Sequence, residues 1–126
     1  MDVITIVMTV TLTFYSPESG DGISGGKIMA NGERPHIGAV ACKNTLPFGT
    51  IIVFTEPKVV TMLEENGLPL EYVCKDRFKY GGRNGIDISI PKGWNGMTDR
   101  ERIVLAKKLG LIRKVRIEAG IRSPPS

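Results

Sequence analysis

The chain has 126 residues, 41% hydrophobic and 24% charged, with 15 Gly, 8 Pro and a formal net charge of +4 from 17 Lys or Arg against 13 Asp or Glu. This size and balance predict one domain over residues 1–126 and exclude a disordered chain, while the Gly and Pro content favours a turn-rich, mainly β fold over a helical bundle. The basic surplus suits any polyanionic surface without choosing one.

Met1 to Val10 is apolar but short, lacks a basic start and a small-residue cleavage site, and is interrupted by Thr5 and Thr9. It reads as a strand rather than a signal peptide or a membrane span. Thr9 to Tyr15 alternates strictly, which turns Val10, Leu12 and Phe14 toward a core and Thr9, Thr11, Thr13 and Tyr15 to the other face. Ser16 to Gly26 is a loop, Gly38 to Cys42 a short apolar run, and Thr50 to Phe54 a strand entered through the Pro47-Phe48-Gly49 turn. Within Glu56 to Leu70, the stretch Val59 to Gly67 fits either a short helix or a hairpin arm.

Glu71 to Asp76 and Gly85 to Ile90 are strands around the glycine-rich loop Phe78 to Gly85. From Met97 the pattern is helical: Thr98 and Glu101 form a capping box, Ile103, Val104, Leu105, Ala106 and Leu109 supply the apolar stripe, and Gly110 ends it. The charges from Arg100 to Lys114 read as a solvated face. Lys114 to Glu118 is a last strand, with the domain core over about residues 9–118 and a flexible tail at 119–126. About six strands with one helix near the C-terminus fit a small β-barrel.

The chemistry concentrates in the stretch from Cys74 to Ile90. Ile86, Ile88 and Ile90 alternate with Asp87 and Ser89, so inward isoleucines leave Asp87 and Ser89 on a cleft. Tyr72, Cys74 and Asp76 share one face of the preceding strand. If the loop folds back, Asp76 and Asp87 approach, and two neighbouring carboxyls disfavour joint ionisation, which keeps one protonated as a general acid. The plainer alternative has Asp76 capping the loop and Asp87 in a surface ion pair.

The single His36 excludes a site with two histidines in one chain, and no cluster has metal-ligand spacing. Cys42 and Cys74 read as buried small hydrophobes, as a disulfide, or as a nucleophile activated by His36. Tyr15 and Trp94 are each candidate stacking aromatics, against a rim position for Tyr15 and partial core burial for Trp94.

Six features occur in order: Tyr15-Ser-Pro, Ala30-Asn-Gly-Glu, Ala39-Val-Ala, Leu46-Pro-Phe-Gly-Thr50, Asp76 with Asp87 eleven residues on, and Ala106-x-x-Leu-Gly followed by Val115-Arg-Ile117. Together they resemble the double-psi β-barrel of the rare lipoprotein A group and the related three-aspartate (3D) domains, over roughly Thr9 to Glu118. The resemblance implies a six-stranded double-psi β-barrel acting as a peptidoglycan lytic transglycosylase. Such an enzyme cleaves the β-1,4 bond between N-acetylmuramic acid and N-acetylglucosamine and leaves a 1,6-anhydro end. In the 3D pattern Asp87 matches the acid/base and Asp76 its partner, whereas in the rare lipoprotein A pattern Asp76 matches the catalytic position.

The first aspartate of the three falls near Cys42 or Lys43, neither an acid. Lys43 would favour an ionised Asp76. Tyr15, Thr50, Lys43, Gly82 and Ser89 are the expected substrate-binding residues. The resemblance further implies a monomer with no metal or cofactor, acting on peptidoglycan glycan strands and not on nucleic acid. It would act in the cell envelope or outside the cell, possible phage origin included. A non-catalytic glycan-binding barrel is the alternative, and a nucleic-acid-binding or scaffold barrel a third.

Overall fold

The computed structural model describes residues 3–16, 28–43, 45–78 and 84–122. In chain order the elements are β1 (Val3–Tyr15), β2 (Ala39–Cys42), β3 (Ile51–Phe54), α1 (Pro57–Glu65), β4 (Glu71–Arg77), β5 (Gly85–Ser89), α2 (Asp99–Leu109) and β6 (Ile112–Arg122). A 3₁₀ turn at Trp94–Gly96 precedes α2. The strands close into a barrel in the order β1-β5-β2-β4-β3-β6. Two contacts are parallel, β1 with β5 and β2 with β4; the other four are antiparallel. The expected mainly β, six-stranded barrel with a helix near the C-terminus is therefore present, with α1 in addition.

The interior follows the alternation. Val10, Leu12 and Phe14 of β1 meet Ile86 and Ile88 of β5, Val40 and Cys42 of β2, and Val115 and Ile117 of β6 in one buried cluster. Tyr72 stands edge-on to Phe54, with ring centres 5.7 Å apart. Proline at the first turn and an apolar pair, Val59 and Leu63, four residues apart make Pro57–Glu65 a helix rather than a hairpin arm. The capping box of α2 forms as expected: Glu101 N donates to Thr98 Oγ1 at 3.2 Å, and Thr98 N donates to Glu101 Oε1 at 2.9 Å.

The stripe of α2 departs from expectation. Leu105 and Leu109 are buried, but Val104 is 57% exposed and Arg102 is wholly buried. The Arg102 guanidinium donates to the Ile90 carbonyl at 2.9 Å and to Asp99 Oδ1 at 2.6 Å, so this charge lies under the helix, not on its solvated face. The last strand also outruns its prediction. Residues 119–122, expected in the tail, continue β6 and pair with β1 back to Val3.

Cys42 and Cys74 form a disulfide between β2 and β4, with Cα atoms 5.7 Å apart. Both sulfurs are thereby committed, and the nucleophile reading with His36 as base falls. Closing a loop across a sequence separation of 32 removes chain entropy from the unfolded state worth about 4 kcal/mol. Replacing both cysteines by alanine is expected to lower unfolding stability by about that amount. Urea titration of the two proteins would measure it, and dithiothreitol would destabilise the parent alone.

Candidate functional site

Four residues share one row across four strands. Thr13 of β1 is opposite Asp87 of β5, Asp87 is opposite Ala41 of β2, and Ala41 is opposite Asp76 of β4. Paired residues point to the same side of a sheet, so both aspartates lie on the outer face with the small Ala41 between them. Asp76 reaches this face through a register shift. Cys74 is opposite Val40 but Asp76 is opposite Ala41, so Lys75 is the extra residue of a β-bulge. The bulge reverses the side to which Asp76 points, and it no longer shares a face with the buried Tyr72 and Cys74.

Lys75 anchors the loop before β2. Its carbonyl accepts Asn31 N at 3.1 Å, and its ammonium contacts Glu33 Oε1 at 2.9 Å and His36 Nε2 at 3.1 Å. His36 Nε2 also lies 3.3 Å from Glu33 Oε1, and its Nδ1 lies 3.0 Å from the Ile37 carbonyl. The hydrogen bond from Lys75 is the main reason the Glu33 carboxyl is held below its usual range. Asp76 Oδ1 accepts Ala30 N at 2.9 Å and Arg77 N at 2.8 Å. Asp76 thus holds the loop before β2 while standing at one end of the row; the glycine-rich loop that the plainer sequence reading had it capping lies mostly outside the described residues.

Asp87 has a different environment. Thr13 Oγ1 donates to Asp87 Oδ1 at 2.7 Å. A hydroxyl can reverse its role, so this contact tolerates a charged or a protonated Asp87, whereas the two N–H donors at Asp76 require an acceptor. The carboxylates stand two strand spacings apart, about 10 Å between Cα atoms. They stand on the same face with Ala41 between them.

Tyr15 completes the cluster. Its phenol is pushed well above its usual range by burial first, then by the charges of Asp76 and Asp87, with the nearby Ser89 hydroxyl offsetting part of the shift. The Tyr15 and Ser89 hydroxyls are both buried and approach one another without completing a well-formed hydrogen bond. Tyr15 therefore stays neutral beside the row. Ser89 is wholly buried beneath it, not exposed on a cleft.

The other expected site residues diverge. Thr50 is buried, and its hydroxyl donates to the Pro47 carbonyl at 2.7 Å, so it closes a turn and does not line the row. Lys43 lies just past β2, where its carbonyl accepts from Arg77 at 3.1 Å. Gly82 lies outside the described residues. Trp94 packs partly against the core, as its plainer reading had it.

Two residues that the sequence reading did not nominate join the site. Thr13 holds Asp87, and Phe78 covers Gly85: a Cβ there would run into the Phe78 ring. Gly85 is opposite Thr11, so the ring lies one row from Asp87 on the same face. The strict Thr alternation signalled the first of these; no local signal announced the second.

Tyr15 and Tyr72 are both raised by burial. Neither is expected to ionise near the usual value of about 10 while the protein is folded. Because the unfolded chain releases those protons at ordinary pH, stability is retained below about pH 10 and declines above it. Absorbance near 295 nm during alkaline titration should rise for these two phenols only with unfolding. Tyr15→Phe removes a buried hydroxyl without a formed bond, so its unfolding free energy should stay within about 1 kcal/mol of the parent; a calorimetric scan checks this.

The sequence matches no protein-family model and no curated protein.

Proposed function

We propose that this chain is a peptidoglycan lytic transglycosylase built on a double-psi β-barrel. The observation that carries the reading is the row Thr13–Asp87–Ala41–Asp76, with the Tyr15 phenol near both carboxyls. The closed order and its two parallel contacts are compatible with a double-psi arrangement of the 3D or rare lipoprotein A kind. The disulfide supports a working place in the cell envelope or outside the cell, where such bonds persist.

In this reading Asp87 carries the proton. Its carboxyl protonates the glycosidic oxygen as the bond from the muramic anomeric carbon breaks. The resulting carboxylate then removes the proton from the muramic C6 hydroxyl, whose oxygen closes on that carbon. One carboxyl returns to its starting state and no water is consumed, so a second catalytic acid is not required; hydrolases by contrast use a pair. Thr13 steadies Asp87 in both states, and the buried Tyr15 phenol adds no charge beside the carboxyls. Asp76 keeps the Ala30 loop in place and adds negative charge beside the positive charge developing on the sugar.

The anchoring of Asp76 by two backbone donors favours a second reading, a glycan-binding barrel without turnover, in which both carboxylates only accept hydrogen bonds from sugar hydroxyls.

Mass spectrometry of purified peptidoglycan incubated with the parent and with Asp87→Asn separates the two. The transglycosylase is expected to yield anhydro-muropeptides, with the variant slower by at least ~100-fold. Reducing ends in place of anhydro ends would mean hydrolysis. Absence of product with glycan retention equal in both proteins would leave the binding barrel.

A further inference from the structure

A groove of 320 Å³ opens beside the row, lined by Thr9, Val10, Thr11, Asn84, Arg113 and Lys114. Among the described residues its lining contains two cations and no carboxylate. The groove exists because the β1–β6 pairing slips: Val10 is opposite Val115, but Leu12 is opposite Ile112, so Arg113 and Lys114 bulge out against Thr11. Thr11 N donates to the Asn84 carbonyl at 2.8 Å, which ties the groove to the entry of β5. Lys114 sits at φ 58°, a left-handed conformation that lysine adopts at a cost. A strained lysine at the mouth of a groove is the kind of feature that surrounding structure preserves where a site needs it.

The groove and the carboxylates lie on the same side of β1. Thr9, Thr11 and Thr13 share the outer face of β1, and Thr13 to Thr9 spans about 13 Å. The Phe78 ring over Gly85 lies on the row between them. Arg116, opposite Thr9, adds a third cation at the far end, where its backbone N–H donates to Glu56 Oε1 at 3.1 Å. An oligosaccharide bound at Asp87 would run over an aromatic ring into a basic groove.

We infer that the Arg113–Lys114 groove is a subsite for a carboxylate carried on the glycan, at a distance from the bond that is cut. This rests on the glycan reading above and refines it to an acidic oligosaccharide. The carboxylate has two sources in peptidoglycan: the lactyl group of muramic acid once its peptide is removed, or the stem peptide itself.

The test measures dissociation constants in an Asp87→Asn background, where strands are not cut, by fluorescence anisotropy at low salt. The probes are chitohexaose, glycan strands with stem peptides, and the same strands stripped by an amidase. Arg113→Gln with Lys114→Asn is expected to weaken an acidic strand ~10-fold and leave chitohexaose unchanged. Asparagine tolerates the left-handed backbone, and Arg113→Gln alone leaves residue 114 untouched. Loss confined to stripped strands assigns the lactyl group, and loss confined to intact strands assigns the stem peptide. Equal affinity of the parent for neutral and acidic probes would overturn the subsite, as would equal weakening of chitohexaose. Absence of anhydro ends in the turnover assay, with acidic discrimination intact, would instead remove the transglycosylase and leave the subsite standing.

Discussion

The site depends on one inserted residue. Lys75 interrupts the parallel ladder between β2 and β4, and everything on the outer face follows from the reversal it imposes. Without it, the two-residue period of a strand would send Asp76 inward with Tyr72 and Cys74, into an apolar interior where an ionised carboxyl is costly. With it, Asp76 joins Ala41 and Asp87. The bulge also frees a backbone carbonyl and aims an ammonium outward, and both dock the loop from Ala30 to His36. A single irregularity thus supplies one member of the row and the means of holding its neighbouring loop.

A second irregularity of the same kind, in β6, makes the basic groove. The two bulges lie on different strands and do different work. One orients an anion and the other projects two cations. Between them the threonine face of β1 is regular, and that regularity keeps the two ends in line. The barrel contributes a rigid ruler, and the bulges set what stands at each mark.

Much of this architecture was legible in the chain. Val10, Leu12 and Phe14 announced β1, the isoleucines announced β5, and Thr98 with Glu101 marked the start of α2. Asp87 was legible for the same reason, since a regular strand displays its polar positions. The reading failed wherever register broke. Alternation alone put Asp76 beside Cys74, because a bulge changes parity without any strong signature in residue type. Arg102 was read with the other charges of its helix, since one sequence cannot show that Asp99 and the Ile90 carbonyl would receive it under the core. Thr50 resembled a cleft residue until its hydroxyl proved committed to the Pro47 turn. Phe78 reached the site through Gly85, a contact between strand ends that local pattern does not encode.

The disulfide has a consequence beyond the entropy it removes. Cys42 follows Ala41 directly, and Cys74 precedes the bulged Lys75 directly. The covalent link therefore fastens the two strands at the point where their ladder changes step. A bulge in an unfastened ladder can migrate by one residue, each hop exchanging which side chains face out. Here that migration is blocked on the Cys74 side. The alignment of Asp76 with Asp87 is then a matter of chain connectivity as well as packing, and it persists through breathing motions that loosen the hydrogen bonds around it.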